Sequence, residues 1–100
     1  MVNLKELFSD VCLDVRGIRL LRSEDAIRFV RICRDENVPI LGIDGFRLFD
    51  GKRIQPFQEH SSDYSDQPEE SHDLAEAFLL ERMDKDLWFE MYPDVPLSEL

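Results

Sequence analysis

Apolar residues recur at helical spacing in two segments of the chain. The first segment begins at Ser23, a residue type that often caps helix N-termini, and it ends at Asn37, just before Pro39. The second begins at Ser71 and ends near Met83. Both patterns predict an amphipathic helix with one buried face. The apolar positions are Ala26, Phe29, Val30 and Cys33 in the first helix, and Leu74, Ala75, Phe78, Leu79 and Met83 in the second.

Short apolar or alternating segments predict strands between and after these helices. Residues 38–44 are typical of a buried strand, and residues 53–55 form a shorter segment that ends at Pro56. The dipeptides Asp44-Gly45 and Asp50-Gly51 tolerate positive φ, so each predicts a hairpin turn. A last strand over residues 87–92 alternates strictly. It places Leu87, Phe89 and Met91 on one face and Trp88, Glu90 and Tyr92 on the other.

This order of elements predicts a small α+β fold in a single domain of residues 1–100. We expect a two-layer sandwich, in which two principal helices cover one face of a mainly antiparallel sheet. Residues 1–22 are expected to form an irregular N-terminal extension, with a short helix over 3–8 and an edge strand over 12–21. Residues 57–71 are expected to form an acidic loop, and residues 94–100 a tail.

The alternation in the last strand also predicts which aromatic side chains are accessible. If Leu87, Phe89 and Met91 pack under the helices, Trp88 and Tyr92 lie on the uncovered face of the sheet. Two large aromatic side chains beside an acidic segment resemble the centre and rim of a protein interface. The alternative is that Trp88 belongs to the core or is covered by the N-terminal segment.

The charge of the chain is concentrated in one stretch. The net charge is −10, and residues 54–81 contain eight acidic side chains and no Lys or Arg. Such a field repels nucleic acid and membrane phosphates and attracts basic proteins. We therefore expect a basic protein partner, with no direct binding of nucleic acid or membrane. The candidate contacts in this stretch are Glu59, Asp63, Asp66, Glu69 and Glu70.

The cysteines and the N-terminus favour a cytoplasmic protein. Cys12 and Cys33 are far apart and form no C-x-x-C motif, which indicates two reduced thiols rather than a disulfide framework. Their spacing to His60 and His72 matches no zinc pattern, and we expect no cofactor. The first residues lack the apolar region of an export signal, and no apolar run approaches the ~18 residues of a membrane span.

Catalytic motifs are absent from the sequence, and the strongest enzymatic alternative is a metal-dependent hydrolase. Asp44, Asp50, Glu59 and Asp63 could supply oxygen ligands for Mg²⁺ or Mn²⁺. Such an enzyme needs a basic surface to hold a polyanionic substrate, and the acidic stretch argues against one. A further alternative is a structural or regulatory subunit that buries Trp88 and Tyr92 against a permanent partner.

The hexamer Ile40-Leu41-Gly42-Ile43-Asp44-Gly45 resembles one found in the family of colicin E5 immunity proteins, which inhibit a tRNA-cleaving bacterial toxin. The similarity covers about residues 24–92. Ala26-Ile27, Arg53-Ile54, a Ser-rich segment with Tyr64, and Pro68-Glu69-Glu70 have counterparts in the same order. The chain differs from the family in its longer N-terminus, in Pro39, and in Phe46-Arg47 after the hexamer.

The resemblance implies an α+β immunity protein that occupies the RNA-binding cleft of a toxin ribonuclease. Acidic and aromatic groups would take the places of substrate phosphates and bases. Asp44 and Tyr64 are the contacts that this resemblance adds to the acidic residues named above. The favoured hypothesis is accordingly a non-enzymatic inhibitor of a basic nuclease, acting as a monomer or as a homodimer.

Overall fold

A computed structural model describes residues 4–51 and 53–95 of the chain, apart from the side chain of Lys5. It contains three helices, one short 3₁₀ turn and five strands. The helices are α1 (Leu4–Leu7), α2 (Ser23–Asp35) and α3 (Ser71–Leu80), and the 3₁₀ turn is Pro68–Glu70. The strands are β1 (Leu13–Val15), β2 (Ile18–Leu20), β3 (Ile40–Phe49), β4 (Arg53–Asp63) and β5 (Trp88–Pro93).

The main sheet has the order β4-β3-β5, and both of its strand pairs are antiparallel. The two longer helices, α2 and α3, pack against one face of it, as predicted. Their buried residues Val30, Ala75 and Leu79 form one core with Ile43 and Phe89 of the sheet. The predicted α+β class and the antiparallel sheet are therefore confirmed.

Helix α2 forms where it was predicted, but Ser23 is its first residue rather than its cap, and the Ser23 hydroxyl donates to the carbonyl of Arg82 at 3.4 Å. Ala26, Phe29, Val30 and Cys33 are buried. Asn37 takes a left-handed conformation with φ of 57°, and the amide of Val38 donates to the carbonyl of Cys33 at 2.8 Å. This closure is the pattern in which a left-handed residue ends a helix.

The N-terminal segment is more regular than expected. Strands β1 and β2 form an antiparallel hairpin whose turn residues, Arg16 and Gly17, both have positive φ. Leu4, Phe8 and Leu21 belong to the main core, and Leu21 forms an isolated bridge with Phe89 of β5. The short helix expected over residues 3–8 is present as α1. The rest of the described segment is not irregular, because it forms a two-stranded hairpin and covers one side of the core.

Two predicted breaks in the sheet are also wrong. Asp44-Gly45 is not a turn: β3 continues through it because β4 and β5 pair with it on both sides. Only Asp50-Gly51 forms the expected hairpin turn, with φ of 56° and 69°. The predicted acidic loop over residues 57–71 is strand β4 as far as Asp63, and Pro68–Glu70 is a 3₁₀ turn. Of the predicted tail, residues 96–100 lie outside the described residues.

Candidate functional site

The face of the sheet opposite the helices carries an acidic and aromatic group of side chains. Pairing of β3 with β5 sets Asp44 opposite Glu90, Phe46 opposite Trp88, and Gly42 opposite Tyr92. Leu87, Phe89 and Met91 are buried on the helix side, as the alternation predicted. We call the group on the other side the open face. Its members are Asp44, Phe46, Trp88, Glu90 and Tyr92.

Tyr92 joins the two carboxyl groups of the open face. Its hydroxyl lies 2.8 Å from Asp44 Oδ2 and 2.5 Å from Glu90 Oε1. A phenol has one hydrogen to donate, so the two carboxylates compete for it. Partial burial and both carboxylates raise the pKa of Tyr92 above its ordinary value, because each disfavours a phenolate. The result is a neutral tyrosine between two acidic acceptors, which suits the binding of a cationic side chain.

Trp88 lies on the open face, but it is not freely accessible. The guanidinium of Arg22 covers its ring at 4.2 Å from the centroid. Arg22 is held there by Asp86 at 2.7 Å and by the carbonyl of Leu87 at 3.3 Å. The indole nitrogen is buried and has no partner among the described residues. The residue before α2 therefore covers the aromatic ring that the sequence suggested as an exposed contact.

The acidic stretch identified in the sequence divides into two parts in the structure. In α3, Asp73 accepts from Arg34 of α2 at 3.0 Å. Glu76 accepts from Arg31 at 3.3 Å and from Arg34 at 3.2 Å, and these arginines lower its pKa. These two carboxylates are neutralised by the neighbouring helix. They hold α2 and α3 together and contribute little to the outer field.

The acidic residues before α3 remain exposed. Glu59, Asp63, Asp66, Glu69 and Glu70 form what we call the free acidic surface. Asp66, Glu69 and Glu70 form no ion pair with any residue in the described ranges. Asp63 accepts from the amide and the hydroxyl of Ser65 at 2.8 and 2.7 Å, and these bonds lower its pKa. The unpaired negative charge of the acidic stretch is therefore concentrated here.

Asp63 connects the free acidic surface to the open face. It pairs with Gly42 across the sheet, and two adjoining depressions are each lined by both Asp63 and Asp44. Tyr92 lines one depression, and Ser61 lines the other. The structure thus brings Asp44, Asp63 and Tyr92 together, although they come from three different strands or strand ends.

Tyr64, in contrast, does not belong to the candidate site. Its side chain is only 6% exposed and is part of the core. Its hydroxyl donates to the carbonyl of Leu74 at 3.5 Å, and burial raises its pKa. A tyrosine can be buried in this way because its one polar atom finds an acceptor. The expectation that Tyr64 contacts a partner is wrong for this reason.

A wide bulge in β4 shapes the same region, and sequence reasoning missed it. Gly45 pairs with Phe57 and Ile43 pairs with Ser62, so residues 58–61 all lie opposite Asp44 alone. The Ser61 hydroxyl accepts from the Gly45 amide at 3.4 Å and donates to the Phe57 carbonyl at 3.0 Å. The only available signal was a glycine inside a strand pattern, which often marks a bulge.

The carboxylates suggested as metal ligands are engaged separately. Asp50 pairs with Arg53 at the hairpin turn, at 3.2 Å, while Asp44 accepts from Tyr92 and Asp63 from Ser65. No group of three or more His, Cys, Asp or Glu side chains in the described parts of the chain is placed to hold a metal ion. Cys12 and Cys33 are free thiols, and burial raises the pKa of Cys33 to about 12.

Comparison with known proteins adds no assignment. No family model matches the chain, and no curated protein is significantly similar to it. Within residues 4–51 and 53–95, no helix is both long and apolar enough to cross a membrane.

Proposed function

We propose that this protein is a non-enzymatic inhibitor that binds the nucleic-acid-binding cleft of a basic ribonuclease in the cytoplasm. The observation that carries the proposal is the continuity of the open face with the free acidic surface through Asp63. Unneutralised carboxylates beside a partly exposed tyrosine resemble a nucleic acid in chemistry, with charges for phosphates and a ring for a base.

The position of the hexamer supports the same proposal. Ile40 to Gly45 forms the N-terminal part of β3, the central strand of the main sheet, and its only charged side chain, Asp44, lies on the open face. The resemblance to colicin E5 immunity proteins therefore concerns a residue at the candidate site. It suggests a tRNA-cleaving toxin as the partner.

The proposed mechanism is competitive occlusion. The free acidic surface accelerates encounter with the basic cleft, since charges at the rim of an interface mainly change association rates. Asp44, Glu90 and Tyr92 then contact basic side chains that would otherwise hold substrate phosphates. Pairs of this kind, once desolvated, slow dissociation.

The partner can be sought in the gene neighbourhood. We expect a neighbouring gene for a large secreted protein with a C-terminal nuclease domain, and that domain is the probe for binding. tRNA cleavage by the purified domain should stop when this protein is added in equimolar amount. Neighbouring genes from a biosynthetic operon, or cleavage that continues at a large excess of this protein, would overturn the proposal.

The contribution of Asp44 is tested by Asp44→Asn, which removes the charge and keeps an acceptor for Tyr92. We expect the affinity for the nuclease domain to fall about tenfold to 100-fold, which corresponds to about 1.4–3 kcal/mol. The matched control is Asp35→Asn at an exposed position at the end of α2, which should change affinity less than about twofold. Calorimetry measures both. Equal affinities of the two variants would remove Asp44 from the site.

A further inference from the structure

Arg82, which follows α3, is largely buried although its side chain is charged. Its side chain is only 17% exposed, and its guanidinium lies 3.8 Å from the centroid of the Phe78 ring. It donates to the carbonyls of Phe78 and Glu59 at 3.1 and 3.3 Å. Among the described residues, the carboxylate that it contacts is that of the exposed Glu81, at 3.4 Å. Arg82 is therefore held mainly by neutral acceptors.

The Nε–H of Arg82 donates to a histidine in the β4 bulge. Arg82 Nε lies 3.2 Å from His60 Nδ1. A guanidinium has no acceptor, so this bond exists only while Nδ1 is unprotonated and the ring hydrogen is on Nε2. Protonation of His60 places a second donor against the guanidinium and replaces an attraction by a repulsion.

Most of the charged groups around His60 are positive. Arg82 follows α3, Lys85 lies in the connection to β5, and Arg47 comes from β3; each disfavours an imidazolium. The acidic group near the ring in the described part of the chain is Glu59, with Oε1 4.0 Å from His60 Nε2. The Glu59 side chain is largely exposed, so solvent weakens its attraction for a protonated His60.

His60 also fixes the position of the bulge against the sheet. Its backbone lies so close to Gly45 that a Cβ added there would be 2.4 Å from the His60 carbonyl oxygen. The bulge residues Gln58 and Ser61 line the depression beside Asp44. The position of His60 is thus coupled to the shape of the open face.

We propose that Arg82 and His60 form a pH-sensitive clamp that orders residues 58–61, and that protonation of His60 releases this bulge. Arg82 is a positioning residue in this device, since it acts on the open face only through the bulge. Burial, followed by the positive neighbours, lowers the pKa of His60 below 6.5. The neutral ring is therefore favoured by folding. The neutral His60 ring contributes fully to stability above about pH 6.5, and this contribution is lost as the pH falls through the lowered pKa of the folded state.

The clamp makes the shape of the candidate site depend on pH. Release of the bulge removes one side of the depression that contains Asp44, so binding of the nuclease domain should weaken in acid. This consequence rests on the proposed function. The clamp itself does not, and it is tested on the free protein, so that the two proposals can fail separately.

The test is hydrogen exchange followed by NMR on the free protein between about pH 8 and about pH 5, the range in which histidine changes charge. Protection factors, corrected for the intrinsic exchange rate at each pH, should fall about tenfold or more for the amides of residues 58–61. Those of the β3 and β5 pairs should change less than about twofold. Bulge protection that stays constant over this range overturns the proposal.

Two substitutions separate the clamp from general acid destabilisation. His60→Asn keeps an acceptor near the position of Nδ1 and cannot be protonated, so protection of the bulge should become independent of pH. The matched control is His72→Asn, at a ring that contacts the Val38 carbonyl at 2.7 Å, and it should keep the wild-type transition. An unchanged transition in His60→Asn also overturns the proposal. If that variant does not fold, Arg82→Gln should show low bulge protection already at about pH 8; wild-type protection in it would contradict the clamp.

Discussion

Gly45 leaves no room for a side chain. An added Cβ would lie 2.4 Å from the carbonyl oxygen of His60 and 2.7 Å from its Cβ. At Gly42 the nearest atom is the Ser62 carbonyl oxygen at 2.9 Å. Both glycines therefore permit the close approach of β4, and Gly45 is the more restrictive of the two.

We expect Gly45→Ala to lower the free energy of unfolding by about 1–3 kcal/mol, because the bulge must move to admit a methyl group. Gly42→Ala should cost less, since its nearest contact, with the Ser62 carbonyl oxygen at 2.9 Å, requires a smaller backbone shift than the 2.4 Å contact at Gly45. Chemical denaturation of the two variants and the parent protein measures the difference. A larger loss at Gly42 than at Gly45 would contradict the structure of the bulge.

The role of Gly45 could be predicted from the sequence only in part. The expected turn with positive φ is wrong, and the structure shows a different reason for glycine here, the close approach of the His60 backbone. Asp50-Gly51 has the same two residues and does form the turn. The difference is tertiary, because β5 pairs with β3 at Asp44 and Gly45, and pairing on both sides keeps the strand extended.

At the level of elements, Ser71 connects α3 to the central strand. Its hydroxyl accepts from the amide of Ile40 at 3.0 Å and donates to the carbonyl of Pro68 at 2.9 Å. The residue is fully buried. The sequence predicts that a helix begins at Ser71, and α3 does begin there, but the Ser71 hydroxyl bonds the 3₁₀ turn and the first residue of β3 instead of capping the helix.

Ser71→Ala leaves the buried amide of Ile40 without its side-chain acceptor. The expected loss is about 1–3 kcal/mol of unfolding free energy, the usual cost of an unpaired buried polar group. Ser65→Ala, at an exposed serine, should cost less than about 0.5 kcal/mol. Thermal unfolding with calorimetry compares the two. Similar losses in both would show that the bond to Ile40 contributes nothing specific.

The elements differ in how far their sequences predict them. Helix α2 was predictable because the spacing of its apolar residues, Asn37 and Pro39 all indicate the same helix end. The length of β4 was not: as an edge strand it has no second neighbour, and residues 58–63 are polar on both faces. Polar residues without alternation suggest a loop, whereas pairing with β3 makes them a strand.

Over the whole molecule, the negative charge is neutralised unevenly, because some acidic side chains form ion pairs and others remain unpaired. The packing of α2 against α3 pairs Arg31 and Arg34 with Asp73 and Glu76. The free acidic surface is what remains. The sequence gives the positions of the acidic residues. The ion pairs between α2 and α3 decide which of these residues remain available to attract a basic partner at long range.

We expect Asp63→Asn with Asp66→Asn to reduce the association rate constant for the nuclease domain several-fold, with a smaller change in the dissociation rate. The control is Glu24→Gln with Asp35→Asn on α2, which removes two charges from the helix layer. Stopped-flow association at low and high salt distinguishes them, because salt screens interactions between exposed charges. An association rate that depends on neither substitution nor salt would contradict electrostatic attraction by this surface.

The spacing of Gly42 and Gly45 affects what sequence similarity between small proteins says about their function. Both glycines are imposed by the close approach of the neighbouring β4 backbone, so a Gly-x-x-Gly strand can be shared by chains that recognise unrelated partners. Ancestry would then be visible in the glycines, and target choice in Asp44, which lies between them on the open face. A change of target during evolution is expected to alter Asp44 and its neighbours first, while both glycines persist.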